Sequence, residues 1–160
     1  MKKTLLEVKN LSVSFKMDAD NKSNNNLVIN DLSIKAYPGE ILTIVGSSGS
    51  GKSILAHAIL GLLPSNSIVE GQIFYDGKLI DENLLGNLRG SEIAFIPQSI
   101  SYLDPLVRVG KQVRNYSNKD ETIEKQRNIF KYYDLCENSE KLYPFQLSGG
   151  MARRVLISTA

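Results

Sequence analysis

The chain has 160 residues, one domain's worth, and its 42% hydrophobic and 22% charged content fits a folded globular protein rather than a disordered tail. A net charge of +2 with scattered Lys and Arg offers no stripe for a nucleic-acid backbone, and no apolar run nears the ~20 residues that span a bilayer. One Cys leaves no disulfide framework, and with one His beside it the composition argues against a zinc-type ligand set or a histidine-dependent triad.

The start, Met1 to Glu7, has a basic pair but no apolar stretch of signal-peptide length, so a cytoplasmic chain is expected. Leu6 and Val8, then Leu11, Val13 and Phe15, alternate with polar residues and predict a strand whose register changes near Asn10. Residues 18–26, polar and Asn-rich, read as a mobile hairpin loop, and Val28, Leu32, Ile34 and Ala36 as a second strand. Pro38-Gly39 turns the chain into the apolar run Ile41, Leu42, Thr43, Ile44, Val45, expected to be a buried strand. Ile54, Leu55, Ala58, Ile59 and Leu62 then recur at helical spacing, with Gly61 to Asn66 as the stop. Gln72 to Tyr75 before Asp76-Gly77 is a short strand and turn, and Glu92 to Ile96 before Pro97-Gln98 another strand. From 108 to 135 the spacing is helical, with Ile123, Ile129, Phe130 and Tyr133 on one side and a polar break at 117–120 suggesting two helices. Cys136 falls there and is expected to be buried or half-buried, and His57 to have a surface or packing role.

Between the run at 41–45 and the helix that follows stand Gly46, Ser47, Ser48, Gly49, Ser50, Gly51, Lys52 and Ser53, which satisfy G-x-x-x-x-G-K-[ST] in the strand–loop–helix setting that gives the pattern meaning. A nucleoside triphosphate carries several negative charges that must be held at close range. The glycines let the backbone approach the phosphates, the loop N–H groups form an anion nest, and the helix adds its positive end. Lys52 is expected on the β- and γ-phosphates and the Ser53 hydroxyl on Mg2+, which makes this a nucleotide-binding chain.

Leu147, Ser148, Gly149, Gly150 and Met151 precede a helix through Arg154, Val155 and Ile157 to the chain end, and Leu147 stands 95 residues after Lys52 with a Gln-containing loop between. With that spacing the whole chain resembles the ATP-binding subunits of ABC transporters, whose signature loop reads LSGGQ or LSGGM. The resemblance implies an α/β fold: a P-loop NTPase core (the P-loop being the 46–53 loop) with an N-terminal antiparallel β subdomain and an inserted helical subdomain. It places the β subdomain and core at 1–98, the helical subdomain with the signature loop at 99–150, and the start of the signature helix at 151–160.

The resemblance also assigns roles. Phe15 stacks on adenine, with a core strand position as its alternative. Gln98 is the Q-loop glutamine, approaching Mg2+ and the γ-phosphate and counted with Lys52 as catalytic. The signature loop closes in trans over the ATP of a second ATP-binding subunit, in a homo- or heterodimer. Leu103-Asp104-Pro105, Leu62-Leu63-Pro64 and Tyr143-Pro144 look like the peptide/nickel importers, with Phe145 where many have His. Transmembrane permease subunits, indirectly an extracytoplasmic substrate-binding protein, no nucleic acid, and a peripheral place on the cytoplasmic face of the membrane follow from that likeness.

The family's next elements, an apolar strand ending in Asp-Glu and a switch His, have no match here. Asp81-Glu82 follows Lys78-Leu79-Ile80 and Asp120-Glu121 follows Ser117-Asn118-Lys119, both too polar for a buried strand. The expectation is an N-terminal part of an ABC ATPase, lacking the C-terminal part of the core and inactive alone, active as an ATPase when full length. Its alternative is a non-catalytic nucleotide-binding fragment.

Overall fold

The computed structural model describes residues 3–17 and 24–160. It divides into two compact units, Met1–Arg89 and Gly90–Ala160.

In the first unit four antiparallel strands pair in the order β2-β1-β3-β4: β1 Leu6–Met17, β2 Asn24–Ala36, β3 Ser67–Tyr75 and β4 Lys78–Leu79. The expected register change is present. Asn10 and Asp31 both take positive φ, near 49° and 48°, and the ladder slips between Val8 and Leu11. Polar side chains hold the slip: Asn10 Nδ2 donates to Asp31 Oδ1 at 2.7 Å, Asn10 N to Ser33 Oγ, and Asp31 N to Ser12 Oγ. On the other side of β1, Gly71 fits because it lacks a side chain; a Cβ there would lie 2.6 Å from the Asn10 carbonyl oxygen at a φ of +103°. Asn24, Asn25 and Asn26 are not loop but strand, opposite Met17, Lys16 and Phe15; the rest of the expected loop, 18–23, lies outside the described residues. Asp76 and Gly77, both at positive φ, make the tight turn between β3 and β4.

Helix α1, Lys52–Ile59, seals one face of this sheet. Leu55 and Ala58 are buried with Val8, Leu11, Val13 and Ile29, each large side chain worth about 1.5–3 kcal/mol of burial. The helix closes on Gly61 at φ +60°, with Leu62 N donating to the His57 carbonyl and Gly61 N to Ala58, so Leu62 falls past the end and is exposed rather than part of the stripe. His57 is half-buried within α1. Helix α2, Glu82–Leu88, is new: Asp81, read only as a poor strand end, accepts from Leu84 N at 2.7 Å and caps it.

The expected buried strand at 41–45 does not form. Ile41 is 96% and Val45 86% exposed, and the segment has no ladder partner among the described residues. Apolar content alone cannot make a strand, because strand hydrogen bonds need a neighbouring chain. The segment at 92–96 likewise forms no strand beyond an isolated bridge at Ile93.

In the second unit, α3 Val109–Val113, α4 Asp120–Tyr132 and α5 Gly149–Ile157 surround Leu103, Val109, Phe130, Leu135, Ala152, Val155 and Leu156. The two helices expected between 108 and 135 are present, parted by Asn115 and Tyr116 at positive φ. The buried face of α4 carries Gln126 and Phe130, whereas Ile129 turns outward. Cys136 is exposed, contrary to expectation, because it stands at the start of the tight turn Glu137–Lys141 rather than inside a helix. Helix α5 ends at Ile157, short of the chain end.

Substituting Gly71→Ala combines a strained φ with the clash on the Asn10 and Lys9 carbonyls. It is expected to cost about 1–3 kcal/mol, read as a lower melting temperature, while Gly77→Ala, whose Cβ meets nothing, pays only the φ strain and falls less.

Candidate functional site

The glycine loop is shaped by one residue at each end. Gly51, buried, takes φ +86° and precedes α1 without a side-chain cap; a Cβ there would press on Val28 and Ile29 of β2 at 3.2–3.3 Å. At the other end a Cβ on Gly46 would meet Ser50 Oγ at 2.6 Å. Between them the Lys52 ammonium donates to the Gly46 carbonyl at 2.8 Å, the Ser47 carbonyl at 2.6 Å and Ser50 Oγ at 3.1 Å. The loop thus wraps around its own lysine, with Ser48 and Gly49 at its outer turn.

The first N–H groups of α1 have no carbonyl partner among the described residues, as at any helix start, and Ser53 is exposed beside them. Free N–H donors, a helix start and a cation held only by neutral acceptors form a site for an anion. No group of three or more His, Cys, Asp or Glu among the described residues could hold a metal ion, so a cation here would rest on Ser53 and on the oxygens of a bound phosphate. Phe15, on β1 opposite Asn26 and Ser67, is half-buried against the same core cluster as Leu55 and Ala58 of α1.

The second unit gathers the remaining candidates. Ser148 is the N-cap of α5, its Oγ accepting from Met151 N at 3.3 Å. Gly149 and Gly150 open that helix, both exposed, and a Cβ on either would meet nothing within 4 Å. Neither packing nor backbone conformation within the chain requires glycine there, so the bare helix start leaves room for a group from outside. Leu147 and Met151 anchor it on the unit's core. Gln98 is exposed, and its carbonyl accepts from Arg153 Nη1 of α5 at 3.4 Å.

Three residues of this scaffold escaped the sequence reading. Gln112 clamps the loop at 103–107: its Nε2 donates to the Asp104 and Val107 carbonyls and its Oε1 accepts from Asp104 N. Gln146 Oε1 accepts from Tyr143 N and fixes the turn Pro144–Gln146 before the signature loop. Arg154 donates to the carbonyls of Tyr133 and Asp134, tying α5 to the end of α4. Lone Gln and Arg residues have no spacing signal; Gln112 could be sought only as the side chain nearest the Asp104-Pro105 turn.

Comparison with known proteins adds the family. The family model for ABC transporters matches residues 29–160. The oligopeptide transport ATP-binding protein OppD of Escherichia coli K12 is 37% identical over 170 residues, covering 98% of this chain and 49% of its own. The metal-staphylopine import system ATP-binding protein CntD of Staphylococcus aureus NCTC 8325 is 35% identical over 169 residues, covering 98% of this chain and 60% of its own. The chain thus spans about half the length of the curated relatives it matches. Among solved structures, the dimeric ABC transporter cassette MJ0796 superposes with a TM-score of 0.81 at 26% identity, over 97% of this chain and 68% of its own, and its post-hydrolysis state bound to ADP and Pi does so with 0.80.

Gln112→Ala removes the clamp on the 103–107 loop and is expected to cost about 1–3 kcal/mol for the polar groups left unpaired. Hydrogen exchange should speed up at the Asp104 amide, while the Leu106 amide, held by Asp104's own carboxylate, keeps its protection.

Proposed function

The chain belongs to the ABC transporter family, and from that premise we propose that it is the ATP-binding, energy-coupling part of an importer of peptides or metal chelates. The observation that carries this reading is the loop closed around Lys52 at the start of α1, with helix N–H groups left for an anion. On ATP binding Lys52 exchanges three neutral acceptors for phosphate oxygens, and charge-assisted bonds are about twice as strong as neutral ones. The N–H groups at the head of α1 hold the same phosphates, and Phe15 offers a ring for the base. Magnesium, when bound, would neutralise phosphate charge; Ser53, exposed at the head of α1, is the residue proposed to hold it, and Gln98's share in that role rests on the family resemblance.

Ser148, Gly149 and Gly150 complete the site in a second copy or a paralogue. An uncovered, glycine-lined helix start is suited to the γ-phosphate of a nucleotide held by a partner. Because only ATP carries that phosphate, the pair closes with ATP and loosens after hydrolysis. Among the described residues no helix is long and apolar enough to cross a membrane; membrane permease subunits are proposed as partners from the family resemblance. Peptide or metal-chelate cargo is proposed from the import functions of the relatives; a substrate-binding protein outside the membrane and a peripheral place on the cytoplasmic face belong to the same reading.

A narrower second reading has its own support: these residues bind nucleotide without turning it over. Both Asp-Glu pairs of the chain lie at helix starts, Asp81 capping α2 and Asp120 and Glu121 opening α4; Asp81 follows only the two-residue exposed edge strand β4, and Asp120 follows no strand. The general base that positions the attacking water would then come from elsewhere in a longer protein.

Ser148 separates these roles from mere folding. Ser148→Asp keeps the N-cap acceptor of α5, so its melting temperature should stay near wild type, whereas Ser148→Ala loses about 1 kcal/mol. In sedimentation with ATP, the wild type should form dimers and Ser148→Asp, which sets a carboxylate against phosphate, should not. Unchanged dimerisation of the Asp variant would exclude the signature loop from the nucleotide sandwich.

A further inference from the structure

The second unit holds a cleft of about 530 Å3 that the ATP site does not use. Its wall carries four cations, Arg108, Lys111, Arg114 and Lys141, and a single carboxylate, Glu140. That carboxylate is already engaged: Arg127 donates to both its oxygens, at 2.9 and 3.1 Å. Arg127 holds the Glu140 carboxyl below the ordinary carboxylate range, and Arg114 and Lys141 add to the pull. Glu140 therefore stays ionised with Arg127 and leaves the other four cations without an ion-pair partner among the described residues.

Several of these cations are held in place without being neutralised. The Arg108 guanidinium lies 5.9 Å from the centre of the Tyr143 ring, and the Lys111 ammonium 5.8 Å from that of Tyr116. Arg114 is half-buried, and its Nε is enclosed with no hydrogen-bond partner, although a buried unmet donor is costly. The wall is also fixed from behind: α3 packs so closely on the turn Glu137–Lys141 that a Cβ on Gly110 would lie 2.7 Å from the Glu140 Cβ, and Val109 N donates to the Leu142 carbonyl at 2.9 Å. Like charges gathered on a rigid wall repel one another, and a multivalent anion relieves that repulsion at several cations at once.

We propose that this cleft binds a compact polyphosphate anion, separately from the nucleotide loop. Charge and shape select that chemistry. One carboxylate would neutralise one of four cations, whereas a phosphoryl group brings about two charges, so two linked phosphoryl groups match the set. Arginine's planar fork suits phosphate oxygens, and the cleft volume lies within the range of small-ligand sites, about 300–1,000 Å3. A concave wall favours a soluble phosphate over a lipid headgroup presented on a flat surface.

The test uses the whole chain carrying Lys52→Ala, which removes the loop's cation, and pyrophosphate as the probe. Calorimetric titration should give saturable one-to-one binding, and the Arg114 Nε–H resonance should shift with the same midpoint. Adding Arg108→Ala and Lys141→Ala, both at exposed positions, should weaken binding at least tenfold without lowering the melting temperature. Arg127→Gln, which frees Glu140 to compete for the cations, should weaken it too. No saturable binding in the Lys52→Ala chain, equal binding after the double substitution, or binding to phosphatidylglycerol vesicles but not to pyrophosphate would each overturn the proposal. None of these outcomes bears on nucleotide binding at the loop, which is read in chains with Lys52 intact.

Discussion

Gly51 is where the sheet, the helix and the glycine loop meet. Its left-handed backbone turns the loop into the first turn of α1, and its lack of a side chain lets that turn rest on Val28 and Ile29 of β2. Leu55 and Ala58, one turn further on, are locked into the core with Val8, Leu11 and Val13. The start of α1 is therefore held by the sheet while the loop before it stays exposed. A site that must hold phosphates at hydrogen-bond distance needs such a fixed helix end, because misplaced donors lose directional bonding quickly.

The second unit meets the same need in another way. Its helix start at Ser148 is short and exposed, so it is positioned from outside: Gln146 sets the turn before it, Leu147 and Met151 sink into the core, and Arg153 and Arg154 bind it to the carbonyls of Gln98, Tyr133 and Asp134. The link from Arg153 to the Gln98 carbonyl, at 3.4 Å, ties the Gln98 loop to α5.

Legibility followed the physics of each element. The hairpin slip at Asn10, the 76–77 turn, the end of α1 at Gly61 and the break before α4 were readable because each depends on local backbone chemistry carried by Gly, Asn or Asp. The strand at 41–45 was misjudged because its hydrogen bonds depend on a neighbour that the pattern does not contain. Helix α4 hid its inner face because Gln126 occupies a position where periodicity expects an apolar residue. Cys136 misled because an apolar residue type was taken to follow its helical neighbours inward, whereas it begins a turn. The glycine loop and the helix start at Ser148 were located from spacing; the contacts of Gln112, Gln146 and Arg154 are made by single polar side chains and had no periodic signal to read.

Nucleotide binding at the loop is tested most directly by thermal melts of the purified chain with and without Mg·ATP, beside Lys52→Ala. Saturation at a hundred times the dissociation constant adds about 2.7 kcal/mol, a rise of several degrees. The wild type should show that rise, and Lys52→Ala, which loses the lysine's three bonds to the loop, should melt no higher than wild type without ATP and gain nothing from it. An equal rise in both proteins, or none in a cooperatively melting wild type, would contradict the assignment of this loop as the ATP site.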